Sequence, residues 1–184
     1  SRTHKHDHHS RRGLLLLVLI FWRNDRNRVP LYLSSRQSAD RLLDLLPTQP
    51  CRILDLGCGD GRLLRHLARS RPDCRFVGVE YAPLPWLWAW LAGMSLNNLE
   101  TRRQDFWSIS LAEFDLIYAF LSPAPMSRLW LKASREMRQA ARLISNSFPV
   151  PDVTEDERIA VNDRSMTYFY VYRPAGARSR IATT

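Results

Sequence analysis

Long apolar runs are missing from this 184-residue chain: the longest, Leu14 to Trp22, is nine residues, where a helix that spans a bilayer needs about 20. Small residues marking a secretory cleavage site do not follow it, so it does not read as a secretory leader. Cysteine is scarce. Cys51, Cys58 and Cys74 leave an odd count without metal-ligand spacing, which argues against a disulfide framework and for a reduced, cytoplasmic setting. Net charge is missing from most of the chain: the total is +9, yet residues 31 to 172 hold seventeen Arg or Lys against sixteen acids, and the excess lies in the two ends. A near-neutral body lacks the basic face of an RNA-binding domain; basic tails suit an anionic surface or are simply solvated. Internal repeats and low-complexity stretches are absent too. His4, His6, His8 and His9 sit in a leading stretch without an initiator Met, read as trimmed or added rather than as a metal site, and no metal is expected.

What is present is one glycine-rich turn. Cys51 to Gly61 reads Cys-Arg-Ile-Leu-Asp-Leu-Gly-Cys-Gly-Asp-Gly, a short apolar strand breaking into glycines at 57, 59 and 61, with an amphipathic segment from Arg62. Glycine permits positive φ and leaves no Cβ between the main chain and a ligand, and the helix N-terminus behind it offers free N–H groups. A second buried strand, Arg75 to Glu80, ends in an acid roughly 20 residues past the loop, where nucleotide-binding α/β units hold ribose hydroxyls. Read alone, Glu80 is also an ordinary strand-end charge. The spacing is G-x-G-x-G, with Asp55 in the strand and Asp60 in the loop, and it departs from the dinucleotide pattern G-x-G-x-x-G.

The rest of the chain alternates. A helix is expected over Arg36 to Leu46, capped by Ser34 or Ser35 and closed by Pro47. After the loop, Leu63, Leu64, Leu67 and Ala68 form the buried stripe of the next helix and leave His66 at its boundary. Pro83 and Pro85 open a helix in which Trp86 and Trp90 share a face and Trp88 points away. One face is expected to cover the sheet. The other is left for a partner, a lipid surface or the arm Leu14 to Trp22. Strands follow at Leu99 to Arg103, before Gln104-Asp105-Phe106, and at Phe114 to Phe120, which runs into Leu121-Ser122-Pro123. A helix over about Ser127 to Ala140 and a strand over Ala141 to Ser147 complete the alternation, which implies a parallel sheet covered by helices. Arg158 to Val161 and Thr167 to Tyr172 have no helix between them and read as an antiparallel hairpin at the sheet edge. The plan is a basic arm over 1–28, one domain over 29–173 and a basic tail over 174–184.

Leu-Asp-Leu-Gly-Cys-Gly-Asp-Gly resembles the first motif of class I S-adenosylmethionine-dependent methyltransferases, and Val-Glu-Tyr their second. The resemblance implies a Rossmann-like α/β fold with a mostly parallel seven-stranded sheet and an antiparallel C-terminal hairpin strand. Val-Pro-Leu-Tyr-Leu-Ser-Ser, Gln-Asp-Phe-Trp, Ile-Tyr-Ala-Phe-Leu-Ser-Pro and Leu-Ile-Ser-Asn-Ser-Phe-Pro-Val together resemble the lysine N-methyltransferases of ATP synthase c subunit and adenine nucleotide translocase and their bacterial relatives, over residues 29 to 172. That family carries an N-terminal membrane segment, which gives Leu14 to Trp22 a meaning. The chain departs from its pattern at Leu33, where a second proline is usual, and at Ala140-Ala141, where Pro-Gly is usual.

The resemblance implies S-adenosyl-L-methionine as cofactor. It places Asp55, Gly57, Cys58, Gly59, Asp60 and Gly61 at the methionine moiety, Glu80 and Tyr81 at the ribose, Asp105 and Phe106 at the adenine, and Ser34 or Tyr32 at a lid. Tyr118, Ser122 and Pro123 form the expected catalytic set at the methyl end. Asp105 also reads as a turn residue, and Tyr118 as a core aromatic. The expected acceptor is a protein lysine, with the arm and the tryptophan helix on one membrane-facing side, on the cytoplasmic face of an inner membrane. A methyltransferase of RNA or a small molecule and a non-catalytic cofactor-binding module are the alternatives. An Asn-Pro-Pro-Tyr motif, common where exocyclic base amines are methylated, is absent after the fourth strand.

Overall fold

The computed structural model describes residues 34–161 and 166–174. The arm over 1–28, the lead-in to residue 33 and the tail from residue 175 lie outside the described residues. Among the described residues no helix is long and apolar enough to cross a membrane.

Among the described residues four helices flank one sheet. They are α1 (Arg36–Leu45), α2 (Arg62–Ser70), α3 (Pro83–Gly93) and α4 (Met126–Glu136). The strands are β1 (Arg52–Leu56), β2 (Arg75–Glu80), β3 (Leu99–Arg103), β4 (Leu116–Ala119), β5 (Arg142–Asn146), β6 (Glu157–Ala160) and β7 (Tyr168–Tyr172), in the spatial order β3-β2-β1-β4-β5-β7-β6. The first five strands run parallel, and β7 inserts antiparallel between β5 and β6. This is the Rossmann-like α/β sheet expected from the motifs, hairpin included.

β1 and β4 are buried along nearly their whole length rather than on alternate residues, as happens when helices cover both faces of a parallel sheet. On one face, Ala39 and Leu42 of α1 and Leu63, Leu64 and Leu67 of α2 pack with Ile53, Phe76, Leu116, Tyr118 and Ile144. Of the two candidate caps for α1, Ser35 takes the role, its Oγ accepting from the Ser38 N–H at 3.0 Å. His66 stays at the boundary, 2.8 Å from Asp40.

The strand order reverses between β2 and β4 on either side of β1. Ligands of open α/β sheets bind outside the carboxyl ends of the strands at such a switch point. At the opposite end, Cys51 and Cys74 are free thiols with their sulfurs 3.0 Å apart, and burial, followed by Cys74, pushes the Cys51 thiol up to about 12.

One strand boundary needs correction. β4 is shorter than Phe114 to Phe120, because Phe114 is buried within a turn, its N–H bonded to Leu111 O. In α3, Trp86 and Trp90 share a face as expected, their rings stacked 6.4 Å apart, and the residues it buries are Ala89 and Gly93. A side chain on Gly61 would stand 3.0 Å from Ala89 Cβ, so helix and loop approach too closely for anything larger at the contact.

Candidate functional site

β1 ends at Leu56, and the chain then passes through Gly57, Gly59 and Gly61 with φ of 75°, 55° and 71°, left-handed values at which a Cβ is strained. The Gly57 and Cys58 N–H groups both donate to Val79 O, at 2.9 and 3.0 Å, which ties the loop to the end of β2. Leu121, just past β4, lies 3.3 Å from where a Gly57 Cβ would stand.

Glu80 closes β2. One carboxylate oxygen accepts from the Gly59 N–H at 3.0 Å and the other from the Ala82 N–H at 2.8 Å. A carboxylate has about four lone-pair sites, so this pinned group can still accept from a pair of hydroxyls. Gln104 N donates to Glu80 O at 3.2 Å, which brings the Gln104-Asp105 turn beside it.

Asp55 lies between Gly78 of β2 and Tyr118 of β4 in the strand register. It is only 4% exposed. Burial, with Glu80 nearby, pushes its carboxyl up to about 8, and among the described residues no side-chain hydrogen bond satisfies it. Burial, then Asp55 and Glu80, also holds the Cys58 thiol well above its ordinary range, which keeps it from acting as a nucleophile.

A raised carboxyl has a definite sign of linkage. The folded chain keeps a proton that the unfolded chain has lost between about 3.8 and 8, so this contribution to stability is full below the unfolded value and declines as pH rises through the folded one. The melting temperature of the ligand-free protein is therefore expected to fall as pH is raised from 5 to 8. Asp55→Asn, which cannot ionise, should flatten that slope. A parallel slope in parent and variant would assign the effect to other groups.

Tyr118 is 1% exposed. Its hydroxyl lies 2.7 Å from Ser34 Oγ and accepts from Asn146 Nδ2 at 2.7 Å, and its ring meets Phe169 edge-on. Burial raises the phenol above its ordinary value, so it stays protonated at neutral pH. It is therefore both the core aromatic and a link to Ser34, at the start of α1.

The remaining candidates are placed around this centre. The Asp60 carboxylate is engaged by Arg62 Nη2 at 2.7 Å and accepts from the Arg62 N–H at 3.1 Å. Asp105 is exposed and forms the turn that its type favours, one oxygen accepting from Trp107 N at 3.0 Å. Phe106 stacks at a tilt on Trp107. Tyr81 is exposed, Ser122 half-buried and Pro123 exposed. Sequence reasoning gave no role to Gly78, Asn146 or Ser147. A Cβ on Gly78 would stand 2.6 Å from Leu64 Cδ1 and 2.7 Å from Cys58 Sγ, so this glycine makes the room in which the loop sits. Ser147, at φ 68°, donates to Asn146 Oδ1. A Ser-Asn-Ser run at the end of a buried strand was the only local signal.

The arrangement thus joins a glycine cradle, a pinned carboxylate for hydroxyls and a buried second acid at one end of three adjacent strands. Residues 55–157 match the ANTKMT methyltransferase domain family. Adenine nucleotide translocase lysine N-methyltransferase of Mus musculus is 34% identical over 132 residues, 68% of this chain and 56% of that protein. A protein-lysine N-methyltransferase of Saccharolobus islandicus is 27% identical over 150 residues, covering 78% of this chain and 92% of that protein. The crystal structure of an RNA methyltransferase from Salinibacter ruber in complex with S-adenosyl-L-homocysteine superposes with a TM-score of 0.70 at 21% identity, over 78% of this chain and 95% of that one. At that identity the likeness shows the fold alone. The chain spans little more than half the length of the mouse relative.

Proposed function

The chain belongs to the ANTKMT methyltransferase domain family, and from that premise and the cleft we propose that it is an S-adenosyl-L-methionine-dependent protein-lysine N-methyltransferase. The observation that carries the reading is Glu80, pinned by the Gly59 and Ala82 N–H groups with lone pairs to spare for two ribose hydroxyls. When bound, the cofactor supplies an activated methyl group for a one-step displacement, in which positioning outweighs acid–base assistance.

This chain's own residues bind and orient. Gly57, Cys58, Gly59 and Gly61 form the cradle, and Asp55, in the strand that leads into it, presents a buried carboxyl, protonated in the ligand-free chain at neutral pH, to the methionine moiety. Tyr118 and Asn146 hold Ser34 at the edge of the cleft. Ser122 and Pro123, after β4, border the side from which an acceptor enters. A lysine must arrive as the neutral amine, and an apolar, desolvated entrance favours that form. The near-neutral body supports a protein acceptor over RNA. The arm, nine apolar residues between arginines, suits attachment to the cytoplasmic face of an inner membrane, where a membrane protein would be the substrate.

Calorimetric titration with S-adenosyl-L-homocysteine tests the cleft. One-to-one binding is expected, and absence of binding would overturn the reading. Asp105→Ala should weaken that binding less than Glu80→Ala, because a single hydrogen bond to the adenine amino group is worth about 0.5 to 1.5 kcal/mol, against two for the ribose acid. An equal or larger loss would mean that the two acids exchange roles.

A further inference from the structure

Helix α3 is built inside out. Its smallest residues, Ala89 and Gly93, face the sheet, whereas Leu84, Leu87, Trp88, Trp90, Leu91 and Met94 are exposed, Trp88 by 60% and Met94 by 63%. At about 100° per residue, Leu84, Leu87, Trp88, Leu91 and Met94 fall within one arc of about 120°. The stripe has no charged interruption: residues 81 to 99 contain no Asp, Glu, Lys or Arg. Scattered exposed apolar residues are ordinary, but a contiguous stripe marks a surface that something covers.

We propose that the outer face of α3 docks in the plane of an anionic lipid bilayer. Exposed tryptophan beside leucine suits the headgroup–acyl boundary, where tryptophan is enriched, whereas a protein partner would be held in register by polar groups that α3 lacks. The chain's charge complements such a surface: it is +9, with nearly all the excess in the two tails. The same chain carries a second lipid-seeking segment, Leu14 to Trp22 between arginines, and stable attachment generally takes two weak signals. The proposal goes beyond the arm's contact, since it gives the folded domain its own lipid face. α3 starts three residues past Glu80 and touches the cradle at Gly61, so docking holds the cofactor side of the cleft beside the membrane.

The test uses the full chain and vesicles of phosphatidylcholine with and without phosphatidylglycerol, an anionic lipid of the kind that attracts basic segments. Wild type should sediment with the anionic vesicles, and Leu87→Glu/Leu91→Glu should lower that partition at least tenfold while leaving S-adenosyl-L-homocysteine affinity unchanged. In wild type, lipid brominated near the headgroups should quench tryptophan fluorescence, and Trp88→Phe should remove a large part of the quenching. Unchanged partition of the double variant, no contribution of Trp88 to the quenching, or a wild-type dimer that the double variant abolishes would each overturn the proposal, the last by making a second copy the occupant. Absence of S-adenosyl-L-homocysteine binding in wild type would instead count against the proposed function and leave the vesicle result to be judged by quenching.

Discussion

Glu80→Ala is expected to weaken S-adenosyl-L-methionine binding at least tenfold. Hydrogen bonds to a charged group contribute about 1.5 to 3 kcal/mol each, and about 1.4 kcal/mol is a factor of ten in affinity, so losing even one ribose contact suffices. The carboxylate does a second job, because its oxygens hold the Gly59 and Ala82 N–H groups; alanine leaves both donors unpaired and releases the loop. Glu80→Gln should be nearly as damaging, since an amide NH2 must then face one of those N–H donors. Calorimetry on variants that melt cooperatively reads the effect, and unchanged affinity would remove the main support for the cofactor site.

The second large effect is expected at Gly78. A Cβ there would stand 2.6 Å from Leu64 Cδ1, 2.7 Å from Cys58 Sγ and 2.9 Å from Cys58 Cβ, inside a region where both neighbours are buried. Overpacking of this kind costs about 1 to 3 kcal/mol. Gly78→Ala should lose that much stability to urea, and because Cys58 belongs to the cradle, cofactor affinity should fall with it. Gly93→Ala is the control: its nearest neighbour is a single flexible atom, Leu99 Cδ2 at 3.1 Å, and the loop is not involved. Equal stability of Gly78→Ala and the parent would show that Leu64 and Cys58 can move aside.

The contrast between Glu80 and Gly78 shows what a sequence exposes. Glu80 ends an apolar strand at a fixed distance from a glycine-rich turn, so its position follows from local pattern. Gly78 sits in Val-Gly-Val and carries no such mark; its reason lies in Leu64 and Cys58, which the fold brings beside it. Asn146 is similar, for it matters through Tyr118 and, beyond that, Ser34, both remote in the chain. In α3, periodicity identifies faces but not which of them the sheet takes. The close approaches of Gly61 to Ala89 and of Leu99 to Gly93 decide that. Strand and helix order was legible throughout, since apolar period and turn residues repeat at each element. Boundaries shifted where apolar residues such as Phe114 are buried in turns, and α4 ends at Glu136 rather than Ala140, with Met137 extended as its cap.

The most direct measurement of the central claim is transfer of a labelled methyl group. Purified chain is incubated with methyl-labelled S-adenosyl-L-methionine and membrane or soluble extracts, and the labelled material is separated into protein, RNA and small molecules before the protein is hydrolysed. The account predicts methylated lysine as the labelled product in protein, enriched in the membrane extract and absent with Glu80→Ala. Label in ribonuclease-sensitive material, in small molecules, or in a protein residue other than lysine would contradict it.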